Sequence, residues 1–253
     1  MNGFESHGIT HSSASAINMW ADAPHMWVAS YLFNKKGAFS PAAKAGVLVE
    51  DAVRAVIAQG VTRDDAVKAA MNEYAKFTAL GCSDADAKRG EGIPGMIDGA
   101  IEALTPYGKP TFETDLFGNL KQRKVEILCK GDGFELPIIG YTDFIFEEAG
   151  VCIDLKTSMR LASDLSDSHR RQACVYQKAL GNIRVSFLYV TPKKTNIIEC
   201  PDVTSTLTEI KGILNRQNKF LASGDAQHLR QIVPVVKSSY YHDDAISQEL
   251  FGI

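Results

Sequence analysis

The chain has no Cys-x-x-Cys, and its five cysteines, Cys82, Cys129, Cys152, Cys174 and Cys200, are odd in number and scattered. Such spacing gives neither a structural zinc nor an iron–sulfur cluster its grouped ligands, and it reads as reduced thiols of a cytosolic protein. No run of about 18 apolar residues occurs, so no membrane-spanning helix is expected. The opening, MNGFESHGITHSS, lacks a basic segment followed by an apolar one, so no signal peptide is expected. Excess positive charge is missing too. Lys and Arg number 27 against 30 Asp and Glu, a net charge of -3, so any nucleic-acid contact must come from local basic patches. No Gly-x4-Gly-Lys-Ser/Thr is present, which excludes a built-in ATP-driven motor of that type, and no Gly-x-Ser-x-Gly elbow.

What is present is an ordinary globular composition over 253 residues, 45% hydrophobic and 23% charged, enough for one domain with a normal core. The first hundred residues read as helical. Ser12 or Ser13 caps a helix bearing Ile17 and Trp20, and Pro24 fits the first turn of the next. Residues 41–59 carry apolar positions at helical spacing, and Thr62 with Asp65 resembles a capping box opening a helix to about Leu80. A weaker helix over Asp84–Leu104 is expected to be interrupted at Gly92–Ile93–Pro94–Gly95. Beyond Pro106 the pattern alternates: Lys124–Lys130, Leu136–Phe146 and Val151–Thr157 read as strands joined by hairpins. A helix over Asp167–Leu180, short strands at Arg184–Val190 and Asn196–Glu199, and a helix over Thr204–Ala222 follow, while Ser238–Ile253 carries no clear signal. The order suggests α/β or α+β, a central mixed sheet flanked by helices with a helical N-terminal region. One domain, 1–253, is expected, with its helical part at about 10–105, its sheet at about 106–200, and a C-terminal helix and tail.

The chemistry concentrates in GYTDFIFEEAGVCIDLKTS, residues 140–158. Side chains alternate along a strand, so Asp154 and Lys156 share one face. With the turn at Glu148–Ala149, Asp143 lies opposite Asp154 on that face. Opposed like charges destabilise a sheet, and their setting among Ile138, Ile139, Phe144, Ile145, Phe146, Val151 and Ile153 makes burial, and hence a need for partners, the expectation. A divalent cation, Mg²⁺ or Mn²⁺, is the natural compensation for hard oxygen ligands.

These residues resemble the RecB-type branch of the PD-(D/E)XK nucleases, which includes phage exonucleases and Cas4-like proteins. The matching motifs are Gly140-Tyr-Thr-Asp143, Asp154-Leu-Lys156, and Gln172 with Tyr176 four residues on along one helix face. Upstream, Gly46-Val-Leu-Val-Glu50 fits a Gly-x-x-x-His/Glu helix. The opening resembles the family's helical pair, with Ala23-Pro24 where Cys-Pro is common. The likeness runs from about residue 10 to 190. It implies a restriction-endonuclease-like core in which Asp143, Asp154, the Leu155 carbonyl and Glu50 hold Mg²⁺ or Mn²⁺. It implies that Lys156 orients water or steadies charge, that Gln172 touches the phosphate region, and that Tyr176 braces it. The products implied are a 5′-phosphate and a 3′-hydroxyl. Ala23 and the lack of a C-terminal cysteine group argue against an iron–sulfur cluster.

The resemblance favours a DNA exonuclease of recombination or repair, cytoplasmic in a bacterium or phage-infected cell. A single-strand annealing protein, or further copies of the chain, are the partners such enzymes can keep. A structure-selective or site-specific endonuclease and a non-catalytic DNA-binding relative are the rivals. Three basic groups are candidates for the phosphate backbone: Arg170 and Arg171; Lys121, Arg123 and Lys124; and Lys193 and Lys194. Trp20, Trp27 and Tyr31 are at helical spacing and read as core before they read as base-stacking surfaces. His25, His169 and His228 have no partner at metal-ligand spacing, His169 alone sitting beside the active-site helix.

Overall fold

The computed structural model of the protein describes residues 2–116, 119–127, 133–181, 183–201 and 203–253. A short helix α1 (Gly3–Ser6) and a two-residue strand β1 (Ser12–Ser13) lead into α2 (Ala14–Asp22) and α3 (Pro24–Leu32). Ser13 caps α2 by accepting the Ala16 N–H, and Pro24 occupies the first turn of α3, where its missing N–H costs nothing. Three longer helices follow: α4 (Pro41–Gln59), α5 (Arg63–Thr78) and α6 (Asp84–Leu104). Their ends are set by Ser40, Thr62 and Ser83, each accepting a backbone N–H three residues on, and by Gly60, whose positive φ closes α4. The reciprocal capping box is made by Ser83 with Asp86.

The expected interruption of α6 is not observed: the helix runs through Pro94. Ile93, Met96 and Ile97 on it are buried, and that packing outweighs the lost backbone bond. Gly95 is there for contact, since a Cβ at that position would lie 2.3 Å from the Pro192 carbonyl oxygen.

After a 3-10 turn at Thr105–Tyr107 come β2 (Glu113–Thr114), β3 (Leu120–Lys121), β4 (Arg123–Ile127), β5 (Ile138–Thr142), β6 (Phe144–Phe146) and β7 (Val151–Thr157). The strand expected over Lys124–Lys130 starts one residue earlier; its last residues, with Cys129, lie outside the described residues. The strand expected over Leu136–Phe146 is two strands with Asp143 at the break. β5 pairs with β4 and β1, whereas β6 pairs with β7. The chain ends with α7 (Asp167–Leu180), β8 (Arg184–Val190), β9 (Thr195–Glu199), α8 (Thr204–Leu221), α9 (Ala226–Ile232) and α10 (Asp244–Phe251).

The architecture is mixed α/β. The four-stranded sheet runs β6-β7-β8-β9, with β7 and β8 parallel and both outer pairs antiparallel. Alternation gives each face its own core. Phe144, Phe146, Val151, Ile153, Leu155, Leu188 and Val190 pack with the buried stripes of α4, α5 and α6. Ile145, Cys152, Val185, Phe187 and Tyr189 pack with α2, α7 and α8. Asp154 and Lys156, two and four residues beyond Cys152, therefore stand on the α7 face. No helix among the described residues is long and apolar enough to cross a membrane.

Candidate active site

The register Phe144↔Ile153, Ile145↔Cys152, Phe146↔Val151 carries the pairing of Asp143 with Asp154 one step past the end of β6. Leaving the strand at Asp143 frees its carboxylate to turn along β7, where Oδ2 accepts the Leu155 N–H at 2.8 Å. Asp143 is 6% exposed and Asp154 1%. Burial first, then the Asp154 and Glu50 carboxylates, hold the Asp143 pKa well above the usual carboxylate range. Burial also raises Asp154, against the opposing pull of Lys156.

Lys156 forms an ion pair with Asp154 Oδ2, and its ammonium lies 5.6 Å from the centre of the Phe187 ring. Burial works against its charge, but Asp154, Asp143 and Glu50 outweigh burial and its pKa is raised. The Lys156 ammonium is thus the donor to Asp154 Oδ2. Its other oxygen accepts from Gln172 Nε2 at 2.7 Å. The same amide lies 2.9 Å from Tyr176 Oη, which donates to the Tyr141 carbonyl. The helix pair Gln172–Tyr176 is thus anchored to β5 and aimed at β7. Gly140 is explained by the same contact: a Cβ there would come within 2.6 Å of the Tyr176 ring.

Glu50, one turn along α4 from Gly46, reaches this group through an intermediary. Gln122, between β3 and β4, donates to Glu50 Oε1 at 3.0 Å and to Asp143 Oδ1 at 2.6 Å. Arg54 forms an ion pair with Glu50. Burial still raises the Glu50 pKa, with Asp51 and Asp154 adding to the rise against Arg54. Gln122 and Arg54 were not anticipated. Arg54 was within reach, four residues from Glu50 on one helix; Gln122 gives no local signal, because its two partners are far away in sequence.

Among the described residues, no three Asp, Glu, His or Cys side chains converge as a ready-made metal cage, since the Gln122 amide stands between Glu50 and Asp143. The donor set nonetheless fits a hard divalent cation: the buried carboxylates Asp143 and Asp154 stand close together, and Asp154 and Glu50 both raise the Asp143 pKa.

An open cleft of about 410 Å³ leads to Lys156 and Gln172, lined also by Ser13, Ser15, Ser168 and His169. Glu50, Arg54, Lys121 and Gln122 line a second one, of about 370 Å³. His169 stacks on Phe187, and its Nδ1 lies 2.6 Å from Tyr189 Oη; burial, then Lys156, lowers its pKa to about 4.

The basic groups divide. Lys121 lines the cleft beside Glu50, with its ammonium 3.9 Å from Asp115. Arg123 and Lys124 pair with Glu147 and Glu126, and Lys193 and Lys194 are exposed in the β8–β9 turn. Arg170 pairs with Asp164. Arg171 is turned inward, buried against Glu209 and Asn18. Trp27 is buried, with Trp20 edge-on and Tyr31 stacked on it. His228 sits in the first turn of α9, its N–H capped by Asp225, while His25 and His242 bond to each other at 3.0 Å.

No protein-family profile matches the chain, and no curated protein matches it. Among solved structures it is similar to one described as the crystal structure of SSO0001, at 17% identity over 68% of this chain and 74% of that one, with a TM-score of 0.33. A likeness of that size carries no argument about fold or activity.

Proposed function

We propose that the protein is a metal-dependent DNA nuclease of the PD-(D/E)XK type, acting as an exonuclease. The observation that carries this reading is the buried pair Asp143 and Asp154, with Lys156 on the same sheet face and Gln172 hydrogen-bonded to Asp154. Two neighbouring buried carboxylates, both with pKa values raised by burial and one raised further by the other, are costly as structure alone, and perturbed groups of this kind beside a cleft point to chemistry.

Asp143, Asp154 and Glu50, with the Leu155 carbonyl, would hold a divalent cation. When bound, it supplies Lewis-acid stabilisation of charge developing on a phosphate. Lys156 is held charged beside Asp154, placing an ammonium where a phosphate oxygen or the attacking water is to be oriented. Gln172 keeps Asp154 in position, and Tyr176 fixes Gln172. Leu155 contributes its N–H, which orients Asp143. The reaction is hydrolysis of a phosphodiester: the water oxygen bonds to phosphorus, the P–O3′ bond breaks, and the leaving oxygen takes a proton to become a 3′-hydroxyl.

The test is cleavage of end-labelled linear DNA and of closed circular DNA with Mg²⁺, Mn²⁺ or EDTA, by wild type and Lys156→Ala. Metal-dependent loss of linear DNA alone, absent in the variant, is the expected result. Cutting of the circle would replace the exonuclease with an endonuclease, and an unaffected variant would overturn the site assignment.

A further inference from the structure

The cleft leading to Lys156 is lined by two tyrosines that the reaction does not use. Tyr141 comes from β5 and Tyr241 from the segment between α9 and α10. Tyr141 is 50% exposed although its backbone is fixed on both sides: it pairs with Lys124 in the sheet, and its carbonyl accepts from Tyr176. Tyr240, beside Tyr241, is 86% exposed, with the two rings edge to face at 5.5 Å. Single exposed aromatics are common on any surface. Here exposed Tyr141 and half-buried Tyr241, which packs from behind on Met26 and its neighbours, line one cleft, with the Ser13, Ser15 and Ser168 hydroxyls and the Lys156 ammonium among its other groups.

Tyr241 is held in place from the far side. His242 Nδ1 lies 3.0 Å from Nε2 of fully buried His25, and His242 Nε2 lies 3.1 Å from Asp244 Oδ1. The Val236 N–H reaches His25 Nδ1, and Asp243 caps α10. The C-terminal segment is thereby fastened to α3, and the residue before the fastening lines the cleft.

We infer that Tyr141 and Tyr241 form a stacking site for an unpaired nucleobase, with Tyr240 extending it outward, so that the strand entering the cleft is single-stranded at that point. Inside a duplex each base face is covered by its neighbours, and an aromatic side chain gains contact only with a base drawn out of the stack. The donors of the cleft suit the phosphodiester joined to such a base. This inference rests on the nuclease reading for its choice of polynucleotide, while its test does not require cleavage.

Binding is measured by fluorescence anisotropy with a short labelled single strand, the blunt duplex of the same sequence, and an abasic strand of the same length. Ca²⁺ replaces Mg²⁺. Wild type should prefer the single strand. Tyr141→Ala and Tyr241→Ala should each weaken single-strand binding by roughly tenfold to a hundredfold, leave abasic-strand binding unchanged, and leave the folded spectrum intact. Tyr241→Phe, which keeps the ring, should bind as wild type. Unchanged affinity in the alanine variants, equal losses on the abasic strand, or no single-strand preference in wild type would each overturn the stacking site. Loss of the nuclease reading has a different signature: tyrosine-dependent binding with no cleavage by wild type under any divalent metal.

Discussion

Two buried polar groups in this molecule are built on opposite terms. Around His25 and His242 each ring nitrogen has a partner: the Val236 N–H, the other imidazole, and Asp244. Around Asp143 and Asp154, buried carboxylates are crowded together against the Lys156 ammonium, and burial with the neighbouring carboxylates holds Asp143 well above the usual carboxylate range. A satisfied neutral network specifies structure, whereas buried carboxylates held against one another are costly as structure alone and point to a bound cation. The two should therefore respond to substitution in opposite ways.

The largest effect expected is at the acidic group. Asp143→Asn should reduce metal-dependent DNA cleavage by at least about a thousandfold while raising the melting temperature of the metal-free protein by a few degrees. The amide still accepts from Leu155, and Gln122 can turn its own amide to accept from the new N–H, giving up its bond to Glu50. The substitution thus removes a desolvated charge at the cost of one hydrogen bond to Glu50, whose carboxylate keeps Arg54. Activity assays beside thermal melts check both halves; a variant less stable than wild type would show that the carboxylate is structural.

Metal titration sharpens the contrast. Mg²⁺ or Mn²⁺ should raise the wild-type melting temperature by several degrees, since ligand at about a hundred times its Kd adds about 2.7 kcal/mol, and should leave that of Asp143→Asn unmoved. Glu50→Gln should shift the titration midpoint upward by roughly tenfold, about 1.4 kcal/mol. If Glu50→Gln titrates as wild type, Glu50 serves Arg54 and Gln122 and holds no metal.

The histidine pair should show itself in acid. Burial, then His242, lowers the His25 pKa to about 4 from 6.5. Between those values the unfolded chain carries the proton and the folded one does not, so stability falls as pH drops from 6.5 towards 4. The loss is at most about 3 kcal/mol. His25→Gln should flatten that slope in melts taken across the window. An unchanged slope would place the acid sensitivity elsewhere.

The contrast also explains what was legible in the sequence. Regular elements and the hairpin were, because Val151–Thr157 and Asp167–Leu180 carry their own periodicity and caps, and a turn at Glu148–Ala149 dictates that Asp143 faces Asp154. The break at Asp143 was not, since strand alternation continues through it and the change of pairing partner is a tertiary event. Gln122, Tyr241 and the His25–His242 bond were invisible for a related reason: each joins segments far apart in sequence, and none belongs to a local pattern. Pro94 misled in the other direction, its local penalty being overridden by burial of Ile93, Met96 and Ile97.

The basic residues give the smallest effects and the finest comparison, because the sequence could not rank them. Arg171 adjoins Arg170 on α7 yet is buried against Glu209 and Asn18, so it belongs with the satisfied groups. Lys121 lines the cleft beside Glu50, with its ammonium half-free in solvent. Arg171→Ala should cost about 1–2 kcal/mol of stability, less than a fully buried pair because Glu209 is partly exposed, and should leave DNA affinity at a given salt unchanged. Lys121→Ala should leave stability unchanged, weaken DNA binding a few-fold across sequences, and reduce the slope of log affinity against log salt by about one. Denaturant melts and salt-dependent anisotropy on the two variants decide the matter; a lower salt slope in Arg171→Ala would mean that the ion pair with Glu209 opens when DNA binds.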